Sequence, residues 1–325
     1  MKVAILDTGI DLSDLWLETV LDDIKAARKK QGFSRGSREL HPIAAQWPSE
    51  DAARDECGHG TWVAYLILLY APEVDLYVAK ISDGMEIQDY DRVVHAIDWA
   101  VSLDVDIINM SFGTQIHVKK IEQAIIRAAT KAGHPTVMFA AASNYGLNDP
   151  RAFPARDERV ICVHAFDGTG GLPNINPPRP KGEASIGTLG CSVKLHFNGK
   201  SSYRSGTSYA SPILAAITAN LLDWLDHQAH RDGLAKGLGW TISASEYAYL
   251  RNVTSIRKIL VEHMSWRRED LHFVAPWILF HSNQLSEVGP EGDGDDTISP
   301  EEVEKVARME WCILGTLTHK IPETE

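Results

Sequence analysis

The sequence predicts an α/β fold: a mainly parallel sheet with helices on both faces. Three observations point there. Several runs of strand length are almost continuously apolar and rich in Val, Ile or Ala, which marks strands buried on both faces and hence parallel. Amphipathic stretches of helical period lie between them, and such β-α-β alternation builds a doubly wound sheet. With 325 residues, 44% of them apolar, the chain can fill one large domain, or one domain with an appendage.

The apolar runs cover 2–7, 74–81, 105–110, 136–142 and 159–165. Segment 91–104 carries Val94, Ile97, Trp99 and Val101 as an inward helical stripe. Segment 117–132 places Ile121, Ala124, Ile125 and Ala128 at helical spacing, and Gly133 is a natural stop. Residues 22–56 are polar, charged and loop-rich, and predict a surface excursion. Residues 168–190 are rich in Gly and Pro, and Pro177-Pro178-Arg179-Pro180 excludes a helix or central strand there. A long helix is expected over 208–226 and another over 254–265, closing a first domain of residues 1–265. Residues 266–325 read as a C-terminal appendage with an acidic, Gly-rich linker and an amphipathic helix over 300–313.

The net charge of −12 argues against nucleic acid or an anionic membrane surface as the main partner. No apolar run reaches the length of a membrane span. Cys57, Cys162, Cys191 and Cys312 are scattered without metal-type spacing, as suits a reducing compartment. With an apolar run beginning at Lys2, no secretory signal is visible, and a cytoplasmic protein is expected. No cofactor or metal is expected either. Segment 291–302 partly fits a calcium loop, but Asp296 stands where the turn needs glycine, and an acidic linker is the plainer reading.

Chemistry concentrates in four short strings. Val3-Ala4-Ile5-Leu6-Asp7-Thr8-Gly9 ends a buried strand on a carboxylate, which is costly there unless paired. Gly58-His59-Gly60-Thr61 opens a helix on a histidine between glycines. Gly206-Thr207-Ser208-Tyr209-Ala210-Ser211-Pro212 opens an Ala-rich helix on a serine with small neighbours. Phe139-Ala140-Ala141-Ala142-Ser143-Asn144 brings an asparagine to the end of an apolar strand. Serine is a weak nucleophile that needs a base, and the base needs an orienting group. Asp…His…Ser is one of the chain orders in which that triad occurs. Asp11, four residues after Asp7, is the second candidate for the acid. Asp7, Ser111 and Asn144 all fall at carboxyl ends of strands, where such folds gather their ligands.

In these four strings the chain resembles the subtilases, the subtilisin-like serine proteases, over residues 2–265. Its sparse cysteines and the segment Val274-Ala275-Pro276-Trp277 resemble intracellular fungal-type members, which are often joined to further modules, so a longer multidomain chain is expected. It departs from many members at Trp62, where a second histidine is usual, and at Ser143, where glycine is usual. The resemblance implies a three-layer sandwich and a serine endopeptidase acting on peptides or proteins. Asp7, His59 and Ser208 would be its triad and Asn144 its oxyanion donor. It also implies that Ser111-Phe112-Gly113 and Glu86-Ile87-Gln88 form the edges along which substrate lies extended. Ala141, Ala142, Phe153, Pro154 and Ala155 would line the first specificity pocket. A peptide ligase or macrocyclase, and a degenerate protease domain used for binding or signalling, stay open as alternatives.

Overall fold

The computed structural model describes residues 1–30, 42–146, 149–178, 183–197, 199–230, 243–268 and 270–275. Segments 291–302 and 300–313, and Cys312, lie outside the described residues.

Among the described residues, nine strands form one sheet in the order β10-β11-β7-β6-β5-β4-β1-β3-β2. They are β1 (Lys2–Asp7), β2 (Ile43–Trp47), β3 (Asp75–Lys80), β4 (Ile107–Met110), β5 (Val137–Ala141), β6 (Val160–Phe166), β7 (Ser185–Leu189), β10 (Ser265–Arg268) and β11 (Leu271–Val274). Every pairing is parallel except β10 with β11. A separate antiparallel hairpin joins β8 (Val193–Phe197) to β9 (Lys200–Arg204). The helices are α1 (Leu15–Lys30), α2 (His59–Tyr70), α3 (Tyr90–Ser102), α4 (Lys119–Ala129), α5 (Thr207–His230), α6 (Ala244–Leu250) and α7 (Val253–Glu262).

Strand periodicity divides the interior into two cores. Val3, Ile5, Ile107, Val137, Phe139, Ile161 and Val163 point to one face and pack with α1, α2, α5, α6 and α7. Ala4, Leu6, Ile108, Met110, Met138 and Ala140 point to the other and pack with α3 and α4. The result is the expected three-layer sandwich, and it explains why these strands read as unbroken apolar runs. Both faces are covered, so both alternating sets of side chains are mostly apolar, with Asn109 of β4 and His164 of β6 buried among them.

Four sequence expectations are corrected. Residues 22–30 are no loop but the end of α1, which buries Leu17, Leu21 and Ile24 at helical spacing. Its Arg28 is also buried, donating to Val74 O at 2.8 Å, so charge there masked an inward face. In α3 the buried stripe is Val93, Ala96, Ile97 and Ala100; Val94, Trp99 and Val101 are only half-buried. Small alanines let that helix approach the sheet, and the larger Trp99 lies at the margin against Tyr77. The Gly- and Pro-rich stretch hides β7, whose short Ser-Ile-Gly-Thr-Leu run carries little apolar signal. Finally, the sheet runs past Ser265: β11 pairs with β7, and Phe273 packs on Phe166, so an appendage boundary at 265 cuts through the sheet edge.

Candidate active site

Asp7 ends β1, and the buried His59 opens α2 against it. His59 Nδ1 lies 2.7 Å from Asp7 Oδ1, with the ring and carboxylate both over nine-tenths buried. The same oxygen accepts the Thr8 N–H at 2.8 Å. The approach of α2 to β1 depends on Gly60, where a Cβ would meet Gly9 O at 2.2 Å. Burial pushes the pKa of His59 down, but the charge and hydrogen bond of Asp7, with Asp55 further out, outweigh it. The net shift is upward from the ordinary imidazole value. His59 Nε2 is buried and has no hydrogen-bond partner among the described residues. Asp11 is not its partner: Asp11 Oδ1 accepts from Ser13 N at 3.0 Å and Ser13 Oγ at 2.6 Å, within the turn before α1.

Ser208 is the second residue of α5 and is buried. Around it, Thr207 N–H donates to Asn144 Oδ1 at 2.8 Å, and Tyr209 N–H to Gly206 O at 3.1 Å. The Ser208 N–H donates to no group among the described residues, as is usual for the first turn of a helix. Thr207 Oγ1 also donates to Asn144 Oδ1, at 3.0 Å. These two bonds fix which end of the Asn144 amide is oxygen, and so aim Nδ2 the other way. A Cβ built on Gly206 would meet both Asn144 Nδ2 and Ser208 Oγ at 3.2 Å, so a side chain there would fill the space the two groups share. The ring of Tyr209, next to Ser208, lies 5.7 Å from the His59 ring. No hydrogen bond joins His59 Nε2 to Ser208 Oγ in this conformation. Such bonds are often long before substrate is bound.

A narrow cleft runs from Asp7 and His59 to Met85, Ile87, Ser111 and Phe112. Ser111 Oγ accepts from Asn109 Nδ2 at 2.9 Å, and Asn109 Oδ1 accepts from Ser211 Oγ at 2.7 Å, tying the end of β4 to α5. Gly113 packs on Ala152, where an added Cβ would come within 2.5 Å of the Ala152 Cβ. Thr114 and Phe153 exchange backbone bonds at 2.8 Å, and Ala152 N–H donates to Ala142 O at 2.8 Å. Ser111, Phe112, Gly113, Ala141, Ala142 and Phe153 therefore gather in one region. Ala155 lines a different cavity. Glu86 and Gln88 do not line the cleft; the Glu86 carbonyl accepts from Ser82 Oγ at 2.5 Å.

One residue of the site escaped the sequence reading. Asp55, 2% exposed, accepts from Thr8 Oγ1, Cys57 N, Gly58 N, Thr61 N and Thr61 Oγ1, all within 3.0 Å. It thereby holds the loop that presents His59. Its signal was a carboxylate just before a helix start, where it caps exposed N–H groups. Trp62, the unusual residue, donates Nε1 to His196 O at 2.9 Å and meets Phe197 and Tyr209 edge-on. It anchors the β8–β9 hairpin over the start of α2.

A strand-end carboxylate on an imidazole, a serine at a helix start and an amide held by Thr207 lie on one α/β sheet, and these are the group types from which serine hydrolase sites are built. The subtilase family profile matches residues 1–232. The subtilisin-like protease het-Q2 of Podospora anserina is 30% identical over 257 residues, covering 68% of this chain and 69% of that protein. Subtilisin DY of Bacillus licheniformis is 29% identical over 244 residues, covering 68% of this chain and 76% of its own. Among solved structures, the prenylagaramide maturation protease PagA has the same fold, with a TM-score of 0.54 at 20% identity over 77% of this chain and 80% of the other. The chain belongs to the subtilase family of serine-type endopeptidases.

Proposed function

We propose that this protein cleaves peptide bonds through an acyl-enzyme, with Ser208 as nucleophile, His59 as base, Asp7 as its orienting acid and Asn144 as oxyanion donor. The observation that carries this reading is the buried imidazole, held by Asp7 at Nδ1 and unpaired at Nε2. With Nδ1–H donating to Asp7, Nε2 carries the lone pair a base needs. His59 Nε2 takes the Ser208 proton as Oγ attacks the scissile carbonyl. The developing oxyanion accepts from Asn144 Nδ2 and the Ser208 N–H at the start of α5. His59 then returns the proton to the leaving amine, and water hydrolyses the ester by the reverse route. Substrate lies extended beside Ser111-Phe112-Gly113, with Ile87 across the cleft. Its first side chain enters the region of Ala141, Ala142 and Phe153.

An amine in place of water would turn the same acyl-enzyme to ligation. Steady-state cleavage of a peptide library, with and without an added amine, tests both readings. Single cleavage products that vanish in Ser208→Ala support the hydrolase; joined products dominating in dilute amine would replace it. We also propose a reducing compartment, because Cys57, Cys162 and Cys191 are free thiols. Fractionation of the tagged protein checks this, and recovery from the medium would count against it.

A further inference from the structure

We infer that Arg204 selects substrates with an acidic side chain just after the scissile bond, an inference that rests on the peptidase reading above. Arg204 ends β9 and so comes shortly before Ser208 in the chain. In the hairpin it pairs with Val193, so its side chain shares a face with the buried Val193 and Leu195 and with Phe197. That face turns toward α2, where Phe197 meets Trp62 edge-on. The Arg204 guanidinium lies over the Trp62 ring, 5.5 Å from its centroid. Stacking of this kind holds a guanidinium by its face and leaves its N–H edge free for an acceptor.

That edge is open. Arg204 is exposed, its Nε donates to Ser202 Oγ at 3.3 Å, and no carboxylate among the described residues pairs with it. By contrast, Arg127, Arg151, Arg159 and Arg251 each pair with a carboxylate. Lys194, opposite Tyr203, points to the other face of the hairpin, and Lys200 stands at the far end of β9. Two rings link Arg204 to the chemistry. Trp62 meets the Tyr209 ring at 6.2 Å, and Tyr209 meets the His59 ring at 5.7 Å. Burial pushes the Tyr209 phenol up to about 12, and the charge of Arg204 pulls against it, so the guanidinium is felt beside the site. Arg204, Trp62 and Tyr209 do not line the cleft of Met85, Ile87, Ser111 and Phe112. With the acyl part of the substrate in that cleft, the amine that His59 protonates departs past Tyr209 and Trp62. A carboxylate on the departing segment then meets the free edge of Arg204, which suits it bidentately. The net charge of −12 repels acidic peptides at long range, so an acid preference requires a local cation such as this one.

The test gives full-length protein a set of peptides carrying glutamate, glutamine or lysine at the first or the second position after the scissile bond, and reads kcat/KM. Glutamate at one of these positions is expected to exceed lysine roughly tenfold, the combined effect of gaining an attraction and avoiding a repulsion. Arg204→Gln should bring the two within about twofold, and Arg204→Glu should reverse their order. A parent that cleaves without preferring acid, or a preference that survives Arg204→Gln, overturns the proposal and leaves the peptidase reading intact. No cleavage of any peptide, together with no fluorophosphonate adduct on Ser208, overturns that reading and the proposal with it. If Arg204→Gln fails to fold, salt decides: a parental preference unchanged from low to high ionic strength refutes the role of Arg204.

Discussion

Asn144 allows stability and catalysis to be moved in opposite directions. Its oxygen accepts two bonds from Thr207, at 2.8 and 3.0 Å, and its nitrogen faces the space beside Ser208 Oγ. Asn144→Ala removes both functions. Losing one oxyanion donor costs about 2.7–4 kcal/mol of transition-state stabilisation, a 10²–10³-fold fall in kcat. Losing the acceptor at the start of α5 costs a further ~1 kcal/mol of stability. Asn144→Asp differs. It keeps an acceptor for Thr207 and places negative charge at a helix N-terminus, which is favourable by roughly 0.3–1 kcal/mol. That same charge opposes the oxyanion. The aspartate variant is therefore expected to melt at or above the parent temperature while losing at least as much turnover as the alanine variant. KM should change little in either, because the oxyanion exists only after attack. Peptide hydrolysis and denaturant unfolding on the same samples provide the assay. An aspartate variant within tenfold of parental kcat, or less stable than the alanine variant, would refute the reasoning.

The other expectations rest on charge and backbone. Asp7→Asn removes the charge that raises the pKa of His59, so the acid limb of kcat/KM should move to lower pH while turnover falls on the order of 10⁴-fold; an unmoved limb counts against the pairing. Asp55→Asn puts donors where only acceptors fit, and should cost about 2 kcal/mol of stability and lower kcat, read by urea unfolding and initial rates. Asp106, buried, accepts from Lys2 N at 2.7 Å and pairs with Arg251 and His134. Burial pushes its pKa up, but those partners outweigh it and leave the pKa below the usual carboxylate value. Its contribution should be present above the unfolded carboxylate pKa and be lost as pH falls through the lower folded one, and Asp106→Ala should destabilise by about 3 kcal/mol near neutrality; acid titrations of the two proteins that overlay would contradict this. Ser143 has φ 148°, a region side chains rarely adopt, so Ser143→Gly should stabilise by up to about 1 kcal/mol in chemical unfolding, and a loss would sink the strain argument.

The central strands and the four motif strings were legible because each is written locally. An apolar run sets a two-faced strand, and a short string fixes its own turn. What escaped depends on contacts between distant segments. Asp55 sits in a polar stretch and gains its meaning only from Thr8 and Thr61 across the turn. Ala152 carries no chemical signal, yet it joins the edge at Gly113 to Ala142. Ala155 lies in the segment expected to line the pocket, but the chain turns it to the cavity beyond. β7 and the β10–β11 edge lacked a strong apolar pattern, since small or polar residues suffice where a strand pairs near the margin. Charged faces hid α1 for the opposite reason: the polar side of an amphipathic helix outweighed Leu17, Leu21 and Ile24 in the reading.

The nucleophile is tested most directly by intact mass after exposure to a fluorophosphonate, on the parent and on Ser208→Ala and His59→Ala. The account predicts one adduct per chain on the parent, mapped to Ser208. It predicts none on Ser208→Ala and a strongly slowed reaction on His59→Ala, since the base is needed to activate the hydroxyl. An adduct of equal yield on folded Ser208→Ala, or no adduct on a folded parent, would contradict it.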